Sequence, residues 1–286
     1  MTDRTIRRLH PALRDDIGDL VTRRPVPGPA IDRIGAFLFL NHHGPQTYPP
    51  GNSGLPFGPH PHRGFETVTF ILEGALAHTD SAGHASVIRA GGIQWMTAGS
   101  GIVHAEVSPE EFRRDGGPME ILQLWVNLPA RLKMTDPRYV GAQADAIPAV
   151  AAGGATLHLV SGEWHGARGP VDSLTRVFLS WIELAPGAEL VLDGLSGRDV
   201  FLYVARGAAQ IGDASVPHFT LAELAEGDRV TIGSADGAVL LFGHADPIGE
   251  PVVAHGPFVM NSAEEIRQAV IDYQAGRFGA APIVEA

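Results

Sequence analysis

Along most of the chain, apolar and polar residues alternate over short stretches and are then cut by Gly, Pro, Asp or Asn. Period-two alternation marks half-buried strands. The clearest stretches are 66–72, 86–89, 120–128, 156–160, 177–184, 200–204 and 239–242. Breaks at intervals of about 8–12 residues suit a β-sandwich or barrel, not a βαβ sheet. Between Gly141 and Gly154 the pattern gives way to Ala, Gly and Pro, which reads as a connection. The two sides are alike in size and strand character, so the expectation is two tandem barrels, residues 1–143 and 144–286, although no clean repeat relates them.

One helix stands out. Ser262 followed by Glu265 is a capping box. Ile266, Ala269, Val270 and Tyr273 then form an apolar stripe that Gly276 ends. Two glutamates in the first turn suit the helix dipole, and the helix reads as packing, not chemistry. Residues 131–139 carry a weaker signal for a short helix or turn.

Composition narrows the chemistry. The 286 residues include 35 Gly and 22 Pro, in keeping with many turns, and 44% hydrophobic residues, enough for a sizeable core. There is no cysteine, which excludes disulfides, thiolate zinc sites, Fe–S clusters and a Cys nucleophile. Any metal must be held by His and carboxylate. The charged opening Met-Thr-Asp-Arg-Thr-Ile-Arg-Arg has no apolar core of a secretory signal, and stretches such as 36–40 and 238–242 are too short to span a membrane. A soluble, cytoplasmic protein is expected. The net charge of −11 argues against direct nucleic-acid binding, and Arg4, Arg7, Arg8 and Arg14 read as a solvated terminal segment.

The unusual count is thirteen histidines, eight of them within the first 104 residues. In Gly58-Pro-His60-Pro-His62-Arg-Gly-Phe-Glu66, the two histidines fall on one face of a strand. If the strand continues in register, Glu66, Val68, Phe70 and Leu72 share that face. An isolated His-x-His is more readily an exposed loop. A second stretch, Gly101-Ile-Val-His104-Ala-Glu106, changes the balance by placing another His and a Glu on one strand face. Three imidazoles and one carboxylate make a mixed site that suits a divalent first-row metal and leaves two positions for other ligands. His42 and His43 are adjacent, so only one of them can face inward. His78 and His84 flank a turn and read as surface residues, while Trp95, Met96, Trp125 and Phe65 read as core.

These two stretches resemble the paired motifs of the cupin superfamily, most closely its pirin branch. Gly54-x5-His60-x-His62-x3-Glu66 fits the first motif, with Gly74 one residue late. Gly101-x2-His104 fits the second, with Gly99 where many cupins have proline. The strings His-Pro-His-Arg-Gly-Phe-Glu-Thr-Val-Thr and Gln-Trp-Met-Thr-Ala-Gly-Ser-Gly-Ile-Val-His are similar to pirin signatures. So is the C-terminal stretch from Pro247-Ile-Gly-Glu-Pro through Tyr273-Gln-Ala-Gly-Arg-Phe.

The resemblance implies an all-β bicupin, two tandem double-stranded β-helix barrels with a short C-terminal helix, in which only the N-terminal barrel keeps metal. It implies His60, His62, His104 and Glu106 as ligands, Glu106 also as the catalytic proton acceptor, and Glu66 turned toward a ligand imidazole or the cavity. The implied cofactor is one divalent metal, Fe(II) first, with Mn, Co, Ni or Cu also suited. His158, His165, His218, His244 and His255 form no His-x-His pair, which agrees with a second barrel lacking metal ligands. Some pirins resemble quercetin 2,3-dioxygenase in activity. The leading expectation is therefore a dioxygenase that opens a flavonol-like substrate with dioxygen and releases carbon monoxide, working as a monomer. The alternative is an iron-binding regulatory protein whose metal state controls a protein partner.

Overall fold

The alternating stretches become antiparallel strands in a computed structural model that describes residues 1–283. Almost every strand boundary falls within a few residues of a Gly or Pro, because these residues either supply a left-handed backbone or withhold an N–H from the ladder. Two compact units result. One comprises Asp15–Thr22, Asn41–Ala144 and residues 248–283; the other comprises Met1–Arg14, Arg23–Leu40 and Asp145–Pro247.

In the first unit, a four-stranded sheet has the order Phe57–His62, Ile102–Val107, Ala75–Asp80, Ala85–Arg89. The other sheet runs Arg138–Ala142, Ile93–Thr97, Phe65–Glu73, Gly117–Asn127 and then residues 41–48. Leu20, Leu55, Ile71, Leu76, Ile88 and Ile121 pack between them as one apolar cluster. Two-sheet closure of this kind is a jelly-roll barrel, the cupin architecture.

Phe57–His62 and Phe65–Glu73 belong to different sheets, and the chain turns between them at Arg63 and Gly64. Gly64 has φ +88°, and a Cβ there would lie 2.0 Å from the Val259 carbonyl oxygen, so only glycine fits. The buried Lys133 ammonium caps this corner by donating to Gly64 O, Val259 O and Asn127 Oδ1 at 2.7–2.9 Å. The turn breaks the expected register. Thr69, not Val68 or Phe70, shares the inward face, and Leu72 is only half-buried.

The second unit repeats the plan. Its main sheet runs Ile6–Pro11, Thr220–Leu224, Asp199–Ile211, Ala238–Ala245, Phe178–Leu184, Ala155–Ser161, Ala149–Ala152. Ala188–Leu192 pairs with Val230–Ser234 to complete it. Leu157, Ile182, Leu202, Val204, Leu240 and Ile232 lie in a single buried core. The expected structureless connection is short, because Arg138–Ala142 and Ala149–Ala152 are both paired strands.

Neither unit is a single continuous stretch of chain. The N-terminal strand belongs with residues 145–247, and the C-terminal helix Ala263–Gln274 belongs with the histidine-bearing barrel. Nor is the N-terminal segment wholly solvated: Arg4 is buried and donates to the carbonyls of Leu195, Arg198, Ala225 and Gly227. The helix starts as expected, with Ser262 Oγ accepting from the Glu265 N–H and Glu265 Oε2 accepting from the Asn261 N–H. Its inward stripe differs at the end: Asp272 is buried and Tyr273 is exposed. Among the described residues, no helix is long and apolar enough to cross a membrane.

Candidate metal centre

Antiparallel register assembles the site. His104 lies directly across from His60 on one side and from Asp80 on the other, and Glu106 lies across from His78. Cross-strand partners share a face and successive even positions repeat it, so six polar side chains project together from the four-stranded sheet. Ligand nitrogens of His60, His62 and His104 come within 4.8 Å of one another, and among the described residues this is the group that could hold a metal ion. Their ring centroids are 4.4–5.0 Å apart.

The tautomers follow from the acceptors. His60 Nδ1 donates to Gly58 O at 2.8 Å, and His62 Nδ1 faces Pro257 O at 3.4 Å. A carbonyl can only accept, so each imidazole keeps its Nε2 lone pair free. His104 is fully buried, and neither of its ring nitrogens has a hydrogen-bond partner. A buried polar group without a partner is costly, and a metal ion could partner one of the two nitrogens. Burial, with His60 beside it, holds His62 down to about 3, and burial first, then His62, holds His104 well below the usual imidazole value. Both are therefore neutral at physiological pH, the form that binds metal. A cluster of three imidazoles fits a divalent first-row ion.

Glu106 is not part of that close cluster. Its Oε1 accepts from Thr69 Oγ1 at 2.8 Å and its Oε2 from Gln123 Nε2 at 2.6 Å. Thr69 and Gln123 are themselves cross-strand partners on the opposite sheet. Glu66 departs from expectation. It pairs with Thr97, accepts from Thr97 Oγ1 at 2.6 Å, and lies on the strand face opposite Thr69. The Gly64 corner is the cause, since parity cannot be counted through it. Burial raises the Glu66 carboxyl above its ordinary value.

His78 is also a correction. It is buried, its ring lies 5.4 Å from His104 and stacks on Tyr139 at 4.0 Å, and its Nε2 donates to Asp80 Oδ2. Asp80 further accepts from His84 Nδ1 and from the N–H groups of Ala82 and His84, so one carboxylate ties the turn to the strand. Leu76, His78 and Asp80 alternate in the sequence, and that signal was available. His42 and His43 are both buried, the first donating to Glu120 Oε1 and the second bonded to Thr22 Oγ1. Trp95, Met96 and Phe65 are core as expected, whereas Trp125 is half-buried with its ring 5.4 Å from His62.

Two jelly-roll barrels in one chain, with a histidine triad in one of them, define a bicupin. The chain belongs to the pirin family: residues 19–126 match the Pirin model and residues 180–279 the Pirin C-terminal cupin domain. A Pseudomonas aeruginosa protein provisionally named quercetin 2,3-dioxygenase is 40% identical over 250 residues, 86% of this chain and 87% of its own. Pirin of Homo sapiens is 39% identical over 267 residues, 90% of this chain and 87% of its own. The crystal structure of a quercetin 2,3-dioxygenase from Acinetobacter baumannii superposes with TM-score 0.91 at 31% identity, covering 97% of this chain and 99% of that one.

Proposed function

We propose that this protein is a metal-dependent dioxygenase of the quercetin 2,3-dioxygenase kind, which opens a flavonol-like substrate with dioxygen and releases carbon monoxide. The observation that carries the reading is the convergence of His60, His62 and His104, with orphaned nitrogens on His104, in a chain similar to proteins bearing that name. These three residues would hold the metal and Glu106 would complete the set. Fe(II) is the proposed ion, and Mn, Co, Ni or Cu suit the same donors. When bound, the metal supplies Lewis-acid polarisation of substrate oxygens and a meeting point for substrate and dioxygen.

The chain's own residues supply the rest. Thr69 and Gln123 fix the orientation of the Glu106 carboxylate, which takes the proton from the flavonol hydroxyl. Trp125, half-buried beside His62 and 4.5 Å from the Phe65 ring, offers an aromatic wall for a planar substrate. His78, stacked on Tyr139 and held by Asp80, limits movement of the neighbouring His104 ring.

Iron-loaded protein should consume quercetin and dioxygen and release carbon monoxide, while chelated protein should not. Lack of turnover above the chelated control, across several flavonols and across Fe, Mn, Co, Ni and Cu, overturns the proposal. It would favour instead a metal-bearing regulatory protein, whose partner should be captured only when metal is present.

A further inference from the structure

The barrel built on residues 145–247 has no His-x-His pair, yet it carries a half-open cavity of about 490 Å³. Trp164, Phe178, Leu195 and Phe242 give it an apolar, largely aromatic lining, and Arg198 and His244 are its recessed polar groups. A volume of this size, apolar with a few directed polar groups, is that of a small-molecule site.

The chemistry of the recess is fixed by one hydrogen bond. Arg198 Nε donates to His244 Nδ1 at 2.5 Å. Arginine has donors only, so Nδ1 must accept and the ring proton must sit on Nε2. Both other nitrogens of Arg198 also donate: Nη1 to Asp246 Oδ1 at 2.5 Å, and Nη2 to Arg176 O at 2.7 Å. Among the described residues no hydrogen bond reaches His244 Nε2, and the residue is half-buried. The ring is locked in place by Phe178, stacked parallel to it at 4.7 Å with 9° between planes. Burial first, then Arg198 and Arg4, holds the imidazole down to about 3, so at neutral pH it is an uncharged donor.

Electrostatics choose the acceptor. The guanidinium behind the ring polarises Nε2–H outward, and Arg176 and Arg198 both pair with Asp246. The acids on the lining, Glu163, Asp172 and Asp193, are exposed at the rim, and the first two face Arg168. Solvent screens those charges more than that of Arg198, whose side chain is 15% exposed.

We propose that this cavity is a second ligand site, independent of the metal centre, which takes a small aromatic carboxylate. The ring of the ligand packs against the accessible edges of Trp164 and Phe178, and one carboxylate oxygen accepts from His244 Nε2. No metal is needed, and none of the residues involved belongs to the histidine triad.

The test is a calorimetric titration of the full-length chain, kept in chelator, with benzoate as probe and benzamide as its uncharged counterpart. Benzoate should bind saturably at one site per chain, and benzamide about tenfold more weakly. His244→Phe, which keeps the stack on Phe178 and loses the donor, should weaken benzoate by about tenfold, while His104→Ala should bind it as the parent does. Absence of saturable binding, equal affinity for benzamide, or a loss in His104→Ala in place of His244→Phe overturns the proposal. Should His244→Phe fail to fold, the side-chain ¹⁵N resonance of His244 Nε2 in the parent protein decides: it should shift in step with benzoate saturation, and an unmoved resonance overturns the proposal.

Discussion

Arg63 Nη1 donates to Asp272 Oδ2 at 2.7 Å across 209 positions of chain, joining the residue after His62 to the C-terminal helix. The Arg63 guanidinium also lies over the Phe278 ring at 4.5 Å, and its Nε donates to Ser100 O. Helix, the Phe57–His62 strand and the loop before His104 are thus held at one point. Asp272→Asn should lower stability by about 1–3 kcal/mol at neutral pH, read by thermal unfolding, and should weaken metal binding. The pH dependence has a definite sign. Hydrogen bonding from Arg63 holds the Asp272 carboxyl below its ordinary value of 3.8. A group lowered in the folded state contributes fully above its unfolded value and loses that contribution as pH falls through the folded one. Parent and Asp272→Asn melting curves should therefore stay apart from neutral pH down to about pH 4 and converge in stronger acid.

Removal of His104 should abolish stoichiometric metal. It is the fully buried member of the triad, with both nitrogens lacking a partner, so no solvent-exposed group can substitute for it. Elemental analysis of His104→Ala and His62→Ala should find at least about a hundredfold loss of affinity, more than the loss of a supporting residue causes. Stoichiometric metal in either variant would refute the ligand assignment.

Thr69→Val and Gln123→Leu should separate orientation from ligation. Each removes one hydrogen bond to Glu106 while leaving the three histidines intact. Turnover should fall by about 10–100-fold with metal content nearly unchanged in each variant. Unaltered kcat would show that the carboxylate needs no fixed orientation.

Lys133 is expected to be structural. Lys133→Met would leave Gly64 O, Val259 O and Asn127 Oδ1 without their buried donor, at a cost of about 3–5 kcal/mol measured by denaturant unfolding. A stability within 1 kcal/mol of the parent, on the order of the ordinary effect of a surface change, would mean that water replaces the ammonium.

Gly64→Ala tests the corner that sets the register. The added Cβ meets the Val259 carbonyl and the backbone is left-handed, so a loss of about 3 kcal/mol or more is expected. Near-parent stability would show that Phe57–His62 and Phe65–Glu73 can part without that close approach.

The sequence by itself determined the all-β class, the longer strands of both barrels, the capping box at Ser262, and the two stretches that carry His60, His62, His104 and Glu106. These are local properties: alternation, turn chemistry and spacing survive in one dimension because they act over a few residues. What lay beyond it depended on how strands meet. Glu66 was read on the site face because parity was counted through Gly64, where the chain leaves one sheet for another. Thr69 and Gln123 gave no sign of their role, since each is ordinary until antiparallel register sets it against Glu106. His78 looked like a turn residue, but its strand is flanked by that of His104 and its ring has Tyr139 to stack on. Asp272 interrupts an apolar stripe for a reason that lies 209 residues away, in Arg63. Tertiary structure decided these points because a hydrogen-bond ladder joins distant segments in a register that no local pattern records.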